Sequence, residues 1–173
     1  MASCIAIVGA HPGTKFRAPY HDREWEIWAC SKRNWSTPIP RYDAWFELHY
    51  QEGDGGGVAK LPKEYIAFLK TLPLVWVRDA NLNLPGQRAY PRKAMELLWG
   101  PFFFTSTIAH MMAKALAEKP SKIGLWGVHQ STKEEWAYQR QGCQYFIQKA
   151  WDMGVEVELP AESELLVPVD TPW

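Results

Sequence analysis

Residues 103–129, FFTSTIAHMMAKALAEKPSKIGLWGVH, decide the fold, because a helix pattern in this stretch is followed at once by the pattern of a buried strand. Thr105 and Ser106 carry side-chain oxygens that can cap a helix start, so a helix is predicted to begin at about Thr105. The apolar residues that follow have the spacing of one helix face: Ile108, Met112, Ala115 and Leu116. Pro120 ends the helix, and residues 122–128 form a nearly unbroken apolar run, which is typical of a central parallel strand covered on both faces.

The end of this predicted strand carries polar residues. Gly127 and His129 are followed there by Gln130 and Ser131. In open α/β sheets, ligands bind in the crevice beyond the carboxyl ends of the strands. We therefore expect a binding site at this end of the strand.

The rest of the chain alternates the same two patterns. Buried strands are predicted at 3–9, 25–30, 43–49, 74–78 and 155–159, and helices at 63–71, at 92–98 and from a Ser-x-x-Glu capping box at 131–134 to about residue 153. Residues 79–91 lack periodicity and are interpreted as a surface loop, and the glycine-rich residues 51–58 as a flexible insert. This order of elements predicts an α/β fold, a three-layer Rossmann-like sheet that is mostly parallel, in a single domain spanning 1–173.

Composition narrows the classes of function. The 19 basic and 19 acidic side chains give zero net charge, which argues against broad attraction to nucleic acid or to an anionic membrane and leaves a small-molecule ligand open. No apolar stretch approaches the ~20 residues of a membrane span, and the N-terminal MASCIAIVGA is interpreted as a first strand and not as a signal peptide, so a cytoplasmic protein is expected. Cys4, Cys30 and Cys143 lie far apart and are interpreted as core or near-core thiols, and the scattered histidines do not favour a metal site. Four of the ten tryptophans fall in strand-like runs and are predicted to lie in the core: Trp28, Trp45, Trp76 and Trp126.

Two further polar loops are predicted at the same end of the sheet. Gly9, His11 and Thr14 belong to the turn GAHPGT after the first strand. This turn is a candidate phosphate loop, but it does not have the spacing of a dinucleotide or Walker motif and is equally well interpreted as a plain strand-ending turn. Ser31 and Asn34 belong to the polar loop SKRN after the second strand.

Two polar residues also end the third predicted strand. Glu47 and His49 are two residues apart, so they are predicted to point to one face of the sheet. Either side chain can therefore reach the crevice.

Six stretches together resemble a family of small, mostly phage-encoded Rossmann-like proteins, over nearly the whole chain: IAIVGAHPGT, WEIWACSKRN, DAWFELH, FTSTIAHMMAKAL, IGLWGVH and EEWAYQR. More distantly, the chain is similar to the bacterial sialyltransferases that use CMP-sialic acid and to related nucleotide-sugar transferase-like proteins. The positions that match the nucleotide-surrounding segments of those enzymes are Gly9 to Thr14, Ser31 to Asn34, Thr105 with Ser106, and Gly127 to His129. The resemblance implies a Rossmann-like fold and a nucleotide or nucleotide-sugar ligand, with no cofactor required.

The chain also departs from the sialyltransferase pattern. The turn GAHPGT has no asparagine, and His129 stands where those enzymes usually have an acid. The lid segment that supplies their catalytic histidine has no counterpart. These departures keep open a protein that binds the ligand without catalysis.

Glycosyl transfer needs a base for the acceptor hydroxyl and donors for the departing phosphate. The predicted base is His129, His49 or Glu47, and the predicted phosphate-binding side chains are Tyr138, Arg140 and Lys32. Each of these roles has a structural alternative. His129 can cap the next helix, Glu47 and His49 can be polar edge residues, and Tyr138 and Arg140 can pack on the helix surface.

The sequence favours two functions. The first is a glycosyltransferase-like enzyme that uses a nucleotide-sugar and acts, if phage-encoded, on a modified base, a nucleotide or a surface glycan. The second is a catalytically silent module that binds or sequesters a nucleotide, and a nucleotide-cleaving hydrolase is a further alternative. The surplus of aromatic residues is compatible with a homodimer.

Overall fold

A computed structural model describes residues 4–49, 61–78, 82–130 and 138–166 of the chain. The strands are β1 (Cys4–Val8), β2 (Trp25–Cys30), β3 (Ala44–Glu47), β4 (Val75–Val77), β5 (Gln87–Ala89), β6 (Lys122–Trp126) and β7 (Glu156–Glu158). The helices are α1 (Pro12–Lys15), α2 (Lys32–Ser36), α3 (Lys63–Lys70), α4 (Arg92–Trp99), α5 (Thr107–Ala117) and α6 (Arg140–Asp152), and a 3₁₀ helix (Glu164–Leu166) follows β7.

The strands form one seven-stranded sheet in the order β5-β4-β3-β2-β1-β6-β7. Every neighbouring pair in this sheet is parallel. The chain moves outward from β1 to β5 and then returns through α4 and α5 to place β6 on the other side of β1. The predicted α/β fold with a parallel Rossmann-like sheet is therefore confirmed, and its topological switch point lies between β1 and β6.

Successive residues of β1 pack into two separate cores, one on each face of the sheet. Ile5 and Ile7 join the core that contains the apolar side chains of α5 and α6. Ala6 and Val8 join the core that contains Tyr65 and its neighbours on α3. A strand alternates its side chains between the two faces, so an uninterrupted apolar run is what a strand covered on both sides requires.

The predicted core aromatics and thiols lie where expected. Trp28, Trp45 and Trp126 are buried, and Trp76 is partly buried against the same core as Trp28. The three cysteines are free thiols; Cys30 and Cys143 are buried, and Cys4 is intermediate. Within the described ranges, no helix has both the length and the apolar run that a membrane span needs.

One predicted loop contains a strand. Within residues 79–91, Gln87–Ala89 form β5, which pairs in parallel with β4 at the sheet edge. The prediction was wrong because an exposed edge strand buries little apolar surface and so shows no periodic apolar pattern. Gly86 permits the approach, since a Cβ atom there would lie 2.3 Å from the carbonyl oxygen of Leu72.

The start of α5, beside the predicted site, also differs from expectation. Helix α5 begins at Thr107 and not at Thr105, because Ser106 is its N-cap and accepts a hydrogen bond from the Ala109 N–H at 3.1 Å. Helix α6 is described from Arg140, and the predicted capping box at 131–134 lies outside the described residues, as does the insert 51–58. Trp151, near the end of this helix, is 48% exposed.

Candidate functional site

The carboxyl ends of β1 and β6 are joined through two glycines at the switch point. The Gly9 N–H donates to the Trp126 carbonyl at 2.8 Å, and the His11 N–H donates to the Gly127 carbonyl at 2.9 Å. A Cβ atom on Gly9 would lie 2.5 Å from the Gly127 oxygen, and one on Gly127 would lie 2.5 Å from the Gly9 oxygen. Gly127 also has φ +66°, in the left-handed region. These glycines therefore place the residues after β1 beside the residues after β6.

Two histidines stack where the strand ends meet. The rings of His11 and His129 are 3.8 Å apart between centroids and 18° from parallel. His129 Nε2 lies 3.0 Å from the Thr14 hydroxyl, and that hydroxyl accepts a hydrogen bond from the Gly127 N–H at 2.8 Å. Burial, reinforced by the neighbouring imidazole, lowers the pKa of His129, so its neutral form is favoured.

The turn after β1 uses its backbone donors within the protein. The chain forms the single-turn helix α1 with His11 as N-cap, and His11 Nδ1 accepts from the Gly13 N–H at 3.2 Å. The Lys15 N–H donates to the His11 carbonyl, and the His11 N–H is already bonded to Gly127. These three N–H groups are therefore engaged within the protein, as in a plain strand-ending turn, and the phosphate loop stays a prediction.

Asn34 joins the ends of β1 and β2 from inside the fold. Its amide nitrogen donates to the carbonyl oxygens of Val8 at 3.1 Å, Gly9 at 3.0 Å and Cys30 at 2.8 Å. Its side-chain oxygen accepts from the ammonium group of Lys15 at 3.3 Å, and burial lowers the pKa of that lysine. Asn34 thus stabilises the base of the crevice and does not line it.

Ser31, in contrast, is on the crevice side of the same segment. It caps α2, accepting a hydrogen bond from the Arg33 N–H at 3.2 Å. Its φ of +84° is uncommon for a residue with a side chain. This backbone turn brings both Ser31 and Arg33 to the cavity described below.

The Glu47 carboxylate connects β3 to a histidine at the rim. Glu47 is buried, accepts a hydrogen bond from the Tyr65 hydroxyl at 2.7 Å and bonds the His49 ring through Nδ1. The Tyr65 hydroxyl in turn accepts from the Trp45 indole N–H at 3.0 Å. Burial and the adjacent carboxylate raise the pKa of Tyr65, so its hydroxyl remains a donor. The network holds His49 in one orientation at the end of the strand.

These strand ends and the start of α5 enclose a cavity of about 480 Å³. Its walls come from the segments after β1, β2, β3 and β6, from the first residues of α5 and from the approach to α6. Seven predicted site residues line it: Gly9, His11, Ser31, His49, Ser106, Gly127 and His129. The volume is within the range of about 300–1,000 Å³ that is usual for small-molecule sites.

Six predicted site residues do not line the cavity. Thr14, Asn34 and Glu47 lie behind its wall in the hydrogen bonds described above, and the Thr105 hydroxyl donates to the Gln139 carbonyl at 3.0 Å. Tyr138 is 72% exposed, and Arg140 is buried at the start of α6. Their binding roles therefore stay predictions without support from position.

Several residues of the wall were assigned no ligand-binding role from the sequence. Arg33 belongs to the same polar loop as Ser31, and Gln130 belongs to the polar end of β6, so loop position was the available signal for both. Thr107 and Ile108 are the first two residues of α5, where backbone N–H groups have no partner within the helix. In the part of the chain that the structure describes, no group of three or more His, Cys, Asp and Glu side chains is arranged to hold a metal ion.

No family model and no curated protein sequence matches the chain. Solved structures do share its fold. The sialyltransferase CstII from Campylobacter jejuni, in complex with the substrate analogue cytidine-5'-monophosphate, matches with a TM-score of 0.58 and 11% identity over 95% of this chain and 82% of that chain. The same enzyme in complex with CMP-3FNeuAc matches with a TM-score of 0.57 and 9% identity over 91% of this chain and 80% of that chain. Thiamine pyrophosphokinase from Bacillus subtilis matches with a TM-score of 0.53 and 15% identity over 91% of this chain and 60% of that chain. At these identities the likeness shows the fold alone.

Proposed function

We propose that this protein binds a nucleotide or nucleotide-sugar in the cavity and acts as a glycosyltransferase-like enzyme. The observation that carries the proposal is the position of the cavity, at the carboxyl edge of a parallel sheet and beside the switch point between β1 and β6. This is where open α/β sheets bind their ligands. The fold shared with a sialyltransferase that binds cytidine monophosphate supports a nucleotide as the ligand class.

The start of α5 is the proposed site for the phosphate. Ser106, Thr107 and Ile108 lie on the cavity wall, and the N–H groups of the first helical turn point away from the helix body. These orphan donors and the positive end of the helix dipole favour an anion. Arg33 on another part of the wall supplies a permanent positive charge, and its guanidinium suits a bidentate contact with phosphate.

His49 is the proposed general base. Its Nδ1 is held by the Glu47 carboxylate, so the neutral ring carries its basic lone pair on Nε2. Glu47 itself does not line the cavity, and its role is to position and polarise His49. His129 is less suited to this role, because burial lowers the pKa of its ring and so makes it a weaker base.

A silent nucleotide-binding module is the second candidate. It is favoured by one observation, namely that two of the three predicted bases, His129 and Glu47, have acceptor atoms engaged inside the protein. In this case His49 does not act as a base either, and the protein binds the nucleotide without transferring a sugar.

One assay separates these functions. The protein is titrated with CMP, UMP, GMP and AMP by calorimetry, and then incubated with CMP-, UDP- and GDP-sugars while products are followed by mass spectrometry. Transfer of the sugar to an acceptor supports the glycosyltransferase, and intact ligand with tight binding supports the module. Free sugar with the released nucleotide, or a free base, without any transfer product supports a hydrolase. Failure of every nucleotide to bind at millimolar concentration would overturn the proposed function.

The roles of the residues are tested in the same assay. His49→Gln is expected to lower turnover by about 10²–10⁴-fold, the usual contribution of a general base, with nucleotide affinity nearly unchanged. His129→Gln is the matched control and is expected to keep most of the turnover. If His129→Gln removes turnover and His49→Gln does not, the assignment of the base is wrong.

A further inference from the structure

Gln130 stands apart from the other polar residues around the cavity. It follows β6 by three residues, lines the cavity, and is only 6% exposed. Its backbone has φ +52°, in the left-handed region that disfavours residues with a Cβ atom. The fold thus holds an amide side chain against the cavity in a backbone conformation that glycine would adopt with less strain.

The amide of Gln130 has no ordinary hydrogen-bond partner. Among the residues that the structure describes, neither its Nε2 nor its Oε1 is hydrogen-bonded to another oxygen or nitrogen. The nearby Cys143 thiol is a weak hydrogen-bonding group. Burial raises the pKa of that thiol to about 12, although contacts with Ser106 and Gln130 act in the opposite direction. A buried amide without strong partners is costly, since it has exchanged its hydrogen bonds to water for none.

Four other buried polar residues near the cavity do not share this feature. Thr14, Asn34, Glu47 and His129 each make hydrogen bonds to other parts of the protein. Their roles within the fold account for their burial. Within the described ranges, Gln130 makes no comparable hydrogen bond to an oxygen or nitrogen, and its burial is accounted for if its partner arrives with a ligand.

We infer that Gln130 is a specificity-determining residue that hydrogen-bonds a ligand group carrying a donor and an acceptor side by side. This inference rests on the proposed function and specifies the chemical group of the ligand that Gln130 recognises. Nε2 needs an acceptor and Oε1 needs a donor, so a fully ionised phosphate, which only accepts, satisfies one of the two atoms. Adjacent hydroxyls of a sugar and the amide-like edge of a nucleobase both offer the required pair.

The test compares wild type with Gln130→Met, which retains the length and approximate volume of the side chain and removes both polar atoms. Without ligand, the variant is expected to melt about 2–6 °C higher, because an unsatisfied buried amide is replaced by an apolar group. Its affinity for CMP is expected to fall about 10- to 100-fold, as follows from losing one or two hydrogen bonds to the ligand. Gln148→Met is the matched control, because Gln148 is exposed on α6 and bonds Asp152 away from the cavity; its melting temperature and affinity are expected to stay at the wild-type values.

Two further probes identify the group that Gln130 contacts. Ribose 5-phosphate keeps the sugar hydroxyls and has no base, whereas 2',3'-dideoxycytidine monophosphate keeps the base and has no such hydroxyls. The affinity difference between wild type and Gln130→Met disappears for the probe that does not carry the contacted group.

The outcomes separate the two proposals. If wild type binds CMP and Gln130→Met binds it equally well, or if Gln130→Met is less stable than wild type, the inference about Gln130 is wrong while the proposed function stands. If wild type binds none of CMP, UMP, GMP and AMP at millimolar concentration, the proposed function fails and the inference fails with it.

Discussion

The Thr14 hydroxyl links the two strand ends at the switch point, and its removal is the sharpest test of this geometry. Thr14→Val keeps the shape of the side chain and deletes the oxygen that accepts from the Gly127 N–H at 2.8 Å and bonds His129 Nε2 at 3.0 Å. Thr14 is buried, as are both of its partners, so water does not readily replace the lost bonds.

The expected effect follows from the groups left without a partner. Each buried donor or acceptor that loses its hydrogen bond costs about 1–3 kcal/mol, so the variant should lose roughly 2–5 kcal/mol of unfolding free energy. For a chain of this size that corresponds to a melting temperature lower by about 5–15 °C. Thr14→Ser is the matched control, because it keeps the hydroxyl and removes one buried methyl group, at a cost of about 1 kcal/mol.

Urea denaturation followed by tryptophan fluorescence gives the free energies directly, and an unchanged slope shows that the unfolded reference state is the same. The reasoning is refuted if Thr14→Val is as stable as Thr14→Ser. Histidine NMR supplies a second readout. Gly127 already donates to the Thr14 oxygen, so the Thr14 hydroxyl is expected to donate to His129 Nε2 and favour the neutral ring. The pKa of His129 should therefore rise in Thr14→Val relative to wild type.

Three further predictions follow from other parts of the fold. Gly142→Ala should lower the melting temperature, because the alanine Cβ atom would lie 2.1 Å from the Thr105 hydroxyl oxygen. The overpacking costs about 1–3 kcal/mol and outweighs the gain of about 1 kcal/mol from the better helix propensity of alanine. A higher melting temperature would contradict this. Burial raises the pKa of Cys30 and of Cys143 to about 12, so iodoacetamide at pH 8 should leave both thiols unmodified in the folded protein. If mass spectrometry finds either thiol labelled as fast as an unfolded thiol, their burial is contradicted. Burial lowers the pKa of His129 from 6.5, so the unfolded chain binds this proton at a higher pH than the folded protein does. The free energy of unfolding should therefore fall as the pH drops below 6.5, by at most about 1.4 kcal/mol per pH unit. Thermal melts between pH 7 and 5 should show a smaller slope for His129→Gln than for wild type, and an equal slope in both proteins would contradict this.

The strands that cross the middle of the sheet were predictable, and the one at its edge was not. Residues 25–30 were predicted as a strand and form β2, in which all residues but Glu26 are apolar, because a strand covered on both faces is apolar along most of its length. Strand β5, with the sequence Gln87–Ala89, carries no such pattern, since it pairs through its backbone while its side chains remain at the surface. Its pairing depends on Gly86, whose close contact with a distant carbonyl is not visible in local sequence.

The place of the candidate site was also predictable, since the polar residues after each parallel strand meet at one edge of the sheet. The orientation of individual side chains was not. Thr14 and Asn34 stand in polar turns that look equally suited to a ligand, but the helices α1 and α2 rotate them into the protein, where they bond the strand ends. Arg33 and Gln130 come from the same kind of segment and face the cavity.

The amino-acid sequence by itself determined the parallel α/β sheet and the edge at which its polar loops gather. Burial on both faces follows from the unbroken apolar runs, and the direction of the strands follows from their alternation with helices. Only the tertiary structure decided which polar groups are hydrogen-bonded within the protein at that edge and which face the cavity. Thr14 is more than a hundred residues from its hydrogen-bond partners Gly127 and His129 in the sequence. Local residue spacing therefore does not indicate which group lies opposite a side chain in the folded protein.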